Sequence, residues 1–145
     1  MSPQPEPVQL KLSILGGPHP TEFTVAQWPP GVMWPAGLPE LKVLAGGDFF
    51  SLTHSADEWS LVCETRFVAP GPELNPAPGW VAFKLHGPFD FSLTGILSAV
   101  LNPLRDAGVG IFALSTFDTD YVLVKAEQLR AARDALRAAG HTLTD

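Results

Sequence analysis

The sequence predicts an α+β protein made of two ferredoxin-like βαββαβ units in tandem, the first of them degenerate. Three observations carry that prediction. From Trp80 onward, period-two and helix-period patterns follow one another as strand, helix, strand, strand, helix, strand. The first half holds a shorter set of patterns that repeats part of this order. Between the halves, Pro70, Gly71, Pro72, Pro76, Pro78 and Gly79 interrupt the chain.

The second half reads most clearly. Val81, Phe83 and Leu85 alternate with Ala82, Lys84 and His86, which gives a strand with one buried face, and Gly87-Pro88 turns the chain. Across residues 94–107, Ile96, Leu97, Val100, Leu101 and Leu104 recur at three- and four-residue spacing. This predicts an amphipathic helix with Ser92 or Thr94 as N-cap and Gly108 as stop. Pro103 lies inside it, removes one backbone donor and is expected to bend the last turn. Residues 109–115 and 121–125 are apolar, β-branched or aromatic runs joined by a turn at 117–120, a hairpin. Residues 126–139 place Leu129, Ala132, Leu136 and Ala139 on one helix face, Gly140 ends that helix, and residues 142–144 form a last strand.

The first half opens with a strand that puts Val8, Leu10, Leu12 and Ile14 on one face, followed by a weak run at 23–25. Pro29, Pro30, Pro35, Gly37 and Pro39 occupy the place where the second half has its first helix. Residues 49–53 and 60–63 predict a hairpin, with Ser55 and Glu58 spaced as a capping box between them. At a shift of 62 positions Phe50-Ser51-Leu52-Thr53 lies over Phe112-Ala113-Leu114-Ser115, and Glu58-Trp59-Ser60-Leu61-Val62 lies over Asp120-Tyr121-Val122-Leu123-Val124. At a shift of 70, Leu15-Gly16-Gly17-Pro18 lies over Leu85-His86-Gly87-Pro88. Duplication explains the matching order; chance likeness between short strands is the alternative. The division that follows is a disordered 1–7, a degenerate unit at 8–67, a Pro/Gly linker at 68–79 and a complete unit at 80–145.

Composition limits the function. The chain has 145 residues, 46% hydrophobic and 17% charged, enough apolar surface for one or two small cores and too little length for a large multidomain enzyme. A net charge of −6 leaves no source for phosphate attraction, so nucleic acid is not an expected partner. The longest apolar runs are too short to span a bilayer and the first residues lack a basic flank and an apolar block, so no membrane partner is expected. Cys63 is the single cysteine, which excludes an internal disulfide and fits a reducing, cytoplasmic location. His19, His54, His86 and His141 are scattered without ligand spacing, so neither a metal nor another cofactor is expected. Cys63 reads as a buried, inert thiol with Arg66 as its one basic neighbour in sequence. No activated nucleophile or oxyanion site is visible, and the chain is read as a non-enzyme. Trp28, Trp34, Trp59 and Trp80 read as core anchors beneath the proline-rich loops.

Two further runs carry a resemblance. Gly87-Pro88-Phe89-Asp90-Phe91-Ser92-Leu93-Thr94-Gly95-Ile96 and Leu114-Ser115-Thr116-Phe117-Asp118-Thr119-Asp120-Tyr121-Val122-Leu123-Val124 resemble small tandem ACT-domain proteins. The likeness extends to the CASTOR-type cytosolic arginine sensors and to aspartokinase-type regulatory domains, and it covers residues 80–145 best. It implies two ACT-like units, the first degenerate, and a regulatory protein that holds a small molecule, commonly an amino acid, where two units meet. It also implies a homodimer through the sheet or helix faces. Carried over residue by residue, the ligand-contacting loop falls on Asp90, Phe91, Ser92, Leu93, Thr94, Gly95 and Ile96. The start of the interface strand falls on Gly110 and Ile111, and the acidic side-chain contact on Asp120. Where the arginine sensors carry an acid two residues before their Gly-Ile pair, this chain has Leu93, so arginine does not transfer as the ligand.

The residues themselves support such a site. A turn into a helix at 92–95 offers unpaired N–H groups and the positive end of a helix dipole to a carboxylate. Asp90, Asp118 and Asp120, at the ends of neighbouring elements, can accept hydrogen bonds from an ammonium or a cationic side chain. Gly95 removes the side chain that would block approach. The structural alternatives are turn chemistry for Asp118-Thr119, an edge charge against aggregation for Asp120 and its aligned partner Glu58, and helix capping for Ser92 and Thr94. The second wall of the site is expected from the chain's own first half or from a second copy. The alternative function is an oligomerisation or protein-interaction module without a ligand.

Overall fold

A computed structural model describes residues 8–89 and 94–144. In order the elements are β1 (Lys11–Ile14), β2 (Phe23–Trp28), α1 (Leu41–Leu44), β3 (Ser51–His54), β4 (Trp59–Glu64), β5 (Asn75–Leu85), α2 (Ile96–Asp106), β6 (Ile111–Ser115), β7 (Asp120–Lys125), α3 (Leu129–Ala138) and β8 (Thr142–Thr144). Short 3₁₀ turns lie at Thr65–Phe67 and Ala126–Gln128. The chain divides into two compact units, one of Met1–Pro20 with Val81–Asp145 and one of Thr21–Trp80.

In the first of these, the strands run in the order β6-β7-β5-β1-β8. Leu10, Leu12 and Ile14 alternate into the same core as Val81, Phe83 and Leu85 of β5 and Val122 and Val124 of β7. Two helices cover that face, α2 through Val100 and Leu104 and α3 through Ala132 and Leu136, all fully buried. Each buried Leu or Val contributes roughly 1.5–3 kcal/mol. β1 therefore belongs here and not to the 21–80 unit, because both its neighbours are here. Leu12 stands opposite Leu85 in an antiparallel pair and opposite Leu143 in a parallel one. The last strand, β8, pairs in parallel with β1, and the sheet is mixed.

The helices begin and end as local chemistry dictates. α2 opens on Gly95, which holds the N-cap position without a side-chain cap, so Thr94 does not take the expected role; Ser92 lies outside the described residues. It closes where Val109 N–H reaches back to the Leu104 carbonyl at 2.9 Å, just past Gly108. α3 closes in the same way, with His141 N–H on the Leu136 carbonyl at 3.1 Å.

In the Thr21–Trp80 unit the order is β3-β4-β2-β5, with β5 taking part through its first residues. β2 runs well past the 23–25 expected. Ala26 and Trp28 join Leu61 and Cys63 of β4 in a core that Leu38 and Leu44 complete. The proline-rich segment leaves α1 a single turn, since prolines withhold the backbone donors that a longer helix needs. Residues 68–79 are not all linker. β5 starts at Asn75, and Pro76 pairs with Ala26 on the edge of this unit's sheet, where a missing N–H can face away from the ladder.

The two hairpins share a construction. Ser55 N–H donates to the Glu58 carbonyl at 2.9 Å, and Thr116 N–H donates to the Thr119 carbonyl at 2.8 Å. His54 faces Trp59 across one ladder and Ser115 faces Asp120 across the other, so the hairpins correspond at a shift of 61 and not 62. Glu58 thus matches Thr119, and Asp120 matches Trp59. Ser55 and Glu58 form no capping box: the Ser55 hydroxyl accepts the Asp57 N–H at 3.2 Å within the loop.

Candidate functional site

The site is assembled at the end of the C-terminal unit's sheet where β5 finishes. Thr119 donates its hydroxyl hydrogen to the Leu85 carbonyl, and Phe89 N–H donates to the Asp118 carbonyl at 2.8 Å. These bonds tie the chain leaving β5 to the tip of the β6–β7 hairpin. The Gly87-Pro88 bond is cis, and Gly87 lies so close to the hairpin that an added Cβ would stand 2.8 Å from the Asp118 carbonyl oxygen. α2 carries the chain back from this end toward the start of β6, so its first turn stands at the same end as the hairpin.

Among the predicted contacts, Asp90, Phe91, Ser92 and Leu93 lie outside the described residues. Gly95 has φ of +81°, and nothing lies within 4 Å of the Cβ it lacks. A side chain there would meet no neighbour, yet the backbone conformation itself disfavours one. Thr94 and Gly95 are exposed and Ile96 is half-buried. Asp120 opens β7 and shares parity with Val122 and Val124, so its carboxylate lies on the helix-covered face, the face that α2 flanks. It accepts a hydrogen bond from Ser115 directly across the ladder.

Gly110 and Ile111 are placed elsewhere. Ile111 pairs with Val124 at the far end of the hairpin from the Ser115–Asp120 pair, and Gly110 N–H donates to the Gln128 side chain at 3.2 Å. Four residue steps along β6 separate the two ends, about 13 Å.

Asp118 and Asp120 also part company. Asp118 lines a cavity of about 310 Å³ with Lys84, His86, Gly87, Pro88, Thr116, Thr119 and Tyr121, and Asp120 is not part of that lining. Lys84 and His86 alternate with the core residues Phe83 and Leu85, so this cavity lies on the opposite face of the sheet. Lys84, Thr116 and Tyr121 were not singled out from sequence as functional residues. The same period-two alternation that marked β5 as a strand holds the signal.

Among the described residues, no group of three or more His, Cys, Asp or Glu is arranged to hold a metal ion. His141 is buried and engaged by backbone on both ring nitrogens, so its role is packing. Cys63 is free and buried; burial first, and the neighbouring Glu64 charge second, push its thiol up to about 11. The thiolate needed for nucleophilic attack is therefore scarce at neutral pH. Among the described residues, no helix is long and apolar enough to cross a membrane.

Comparison with known proteins agrees with this architecture. The structure of protein Atu0741 from Agrobacterium tumefaciens is similar over 94% of this chain and 92% of its own, at 36% identity and a TM-score of 0.77. The regulatory subunit of aspartate kinase from Thermus thermophilus shares the fold over 83% of this chain and 94% of its own, at 14% identity and a TM-score of 0.56. The human protein CASTOR3P is 29% identical over 66% of this chain and 67% of its own length. Residues 76–138 match the ACT-domain family model described as ACT_7, a span that runs from β5 through α3 and contains Gly95 and Asp120. That segment, with a helix-covered ferredoxin-like sheet around it, is an ACT domain.

Proposed function

We propose that this chain is a non-catalytic regulatory protein that binds an amino acid where two ACT units meet. One observation carries the reading: Gly95, left-handed and open on its Cβ side, begins α2 at the same end and on the same face of the sheet as the Asp120 carboxylate. The unpaired N–H groups and dipole of the helix tip favour the ligand's carboxylate, and Asp120 receives an ammonium or cationic group. The family resemblance adds Asp90, Phe91, Ser92, Leu93, Thr94 and Ile96 to the proposed contacts. Gly110 and Ile111 stand too far along β6 to serve the same ligand within one unit, which supports a role across an interface in a homodimer, lining the site of a second copy. Binding then stabilises one arrangement of the paired units and alters a surface that a partner reads.

The Thr21–Trp80 unit, with its strand, helical turn, hairpin, 3₁₀ turn and strand, is read as a reduced ACT-like unit. A single free cysteine suits a reducing, cytoplasmic setting. A second reading, a docking module without a ligand, is favoured by the apolar side chains exposed on that unit: Met33 is 92% exposed, beside Val32 and Trp34.

Calorimetry of the full chain, freed of ligand, against the twenty amino acids tests the proposal. Saturable binding of one of them, weakened about tenfold or more by Asp120→Asn and abolished by Gly95→Val, is the expected result. Binding by none overturns it in favour of the docking module.

A further inference from the structure

The chain carries nine basic residues against fifteen acidic ones, yet three of its five arginines fall within eight residues of one helix. The core sets their direction. Ala132 and Leu136 are the buried positions of α3, and Arg133 and Arg137 each follow one of them by a single residue, about 100° round the helix. Arg130 falls on the same flank, and the three side chains line a shallow groove of about 490 Å³ with Ala126, Leu129 and Asp134. Along the axis the arginines stand about 4.5 Å and 6 Å apart. Arg130 and Arg137 are exposed, Arg133 is half-buried, and Leu129, packed against the core, gives the groove an apolar floor.

An ordinary solvated helix face mixes signs so that an acid pairs with a base three or four residues further on. This row does not. Asp134 follows Arg130 in the less favourable order, and it precedes Arg137 by three residues without pairing. Among the described residues, neither Arg130 nor Arg137 has an ion pair or a side-chain hydrogen bond, and Glu127 in the preceding 3₁₀ turn pairs with neither. Arg133 and Arg137, four apart, repel each other. Arg130 stands in the first turn of α3, where the helix dipole disfavours a cation and the helix supplies no acid. Three guanidinium groups thus share a groove with one carboxylate, a local excess of positive charge on an acidic chain.

We propose that this groove binds a condensed phosphate, a compact anion with two or more adjacent phosphoryl groups. Each guanidinium offers a fork of donors matched to phosphate oxygens, and adjacent phosphoryl groups answer several cations where a lone carboxylate answers one. The net charge of −6 opposes the approach of a long polyanion, which favours a compact ligand over nucleic acid or an acidic protein surface. The groove's volume is that of a small-molecule site. The inference stands apart from the amino-acid reading, since neither Gly95 nor Asp120 lines the groove.

Titration of the isotopically labelled full chain by NMR, in magnesium-free buffer of low ionic strength, tests this with tripolyphosphate, ATP and orthophosphate. Tripolyphosphate is expected to move the amides of residues 126–137 saturably, to bind about tenfold more tightly than orthophosphate, and to weaken as salt is added. Arg130→Ala and Arg137→Ala, both at exposed positions, are each expected to weaken it about threefold or more. Arg133→Lys keeps the charge and loses the fork, and should weaken it about twofold. Asp134→Asn should tighten it about twofold, a gain that a merely structural role for the row does not give. Tighter binding of ATP than of tripolyphosphate assigns the groove to a nucleotide, and equal binding assigns it to the phosphate chain alone. No saturable response at residues 126–137, or an unchanged affinity when Arg130 and Arg137 are both replaced by alanine, overturns the inference. A hexaglutamate peptide that binds as tightly as tripolyphosphate overturns it in favour of an acidic protein partner.

Discussion

The imidazole Nε2 of His141 donates to the Ala99 carbonyl at 2.7 Å, the one acceptor in α2 that Pro103 leaves without an intrahelical donor. The other ring nitrogen, Nδ1, accepts the Leu10 N–H at 3.0 Å, which fixes the neutral tautomer with hydrogen on Nε2. A helix defect, a strand entry and the α3–β8 turn are thus closed by one buried ring. His141→Ala leaves a buried donor and a buried acceptor without partners, each worth about 1–3 kcal/mol. Chemical denaturation should show a loss in that range or above. Pro103→Ala returns the missing N–H to Ala99, so the same His141→Ala change should cost about 1 kcal/mol less in that background. Equal costs in both backgrounds would show that the ring does not act through Ala99.

Cys63 gives a pH dependence with a definite sign. Its thiol titrates near 9.0 when unfolded and is pushed up to about 11 in the fold by burial and then by Glu64. Above pH 9 the unfolded chain releases this proton before the native one does, so stability is intact below pH 9 and falls as pH rises toward 11. Paired denaturation curves of the wild type and Cys63→Val across pH 8–11 should converge or cross in that window. Thiol-reagent modification of the native chain at pH 8 should be far slower than of the denatured chain.

Two glycines at the candidate site should respond to alanine for opposite reasons. Gly87→Ala drives a Cβ to within 2.8 Å of the Asp118 carbonyl and 3.0 Å of the Phe89 nitrogen, both backbone atoms, and should cost about 1–3 kcal/mol by displacing the hairpin tip. Gly95→Ala meets open space and should cost about 1–2 kcal/mol through its left-handed backbone alone. The amide spectrum separates them: residues 116–120 should shift in the first variant and stay put in the second.

The Ser115 hydroxyl orients the Asp120 carboxylate across the ladder. Ser115→Ala keeps the charge and releases the oxygen, so an amino acid bound at Asp120 should weaken by about 0.5–1.5 kcal/mol by calorimetry. Ser115 is exposed, and thermal stability should change little.

The elements from Val81 onward were legible in the sequence because their signals are local. The alternation of Val81, Phe83 and Leu85, the helix spacing of Val100 and Leu104, and the stops at Gly108 and Gly140 all act within one or two turns of chain. What escaped is non-local or shorter than one pattern period. The period-two face of Leu10, Leu12 and Ile14 predicts a strand but is silent about which neighbours it pairs with, and those prove to lie some 70 and 130 residues away. The one-residue difference in hairpin correspondence is invisible to a match of Leu and Val letters, since both registers align apolar residues, yet it exchanges every side chain between faces. The expectation that Gly95 and Asp120 serve one site rests on residue type. The separation of Asp118 from Asp120 needed the strand register to be seen.

The placement of β1 between β5 and β8 also decides how this chain can be cut. A fragment beginning at Asn75 would keep every residue of the family match and still lack the middle strand of its sheet, leaving the backbones of both flanking strands open to stray pairing. Because Leu12 and Leu143 are ladder neighbours, joining β8 to β1 by a short tether and reopening the chain in the loop before Asn75 offers a circular permutant with the sheet whole.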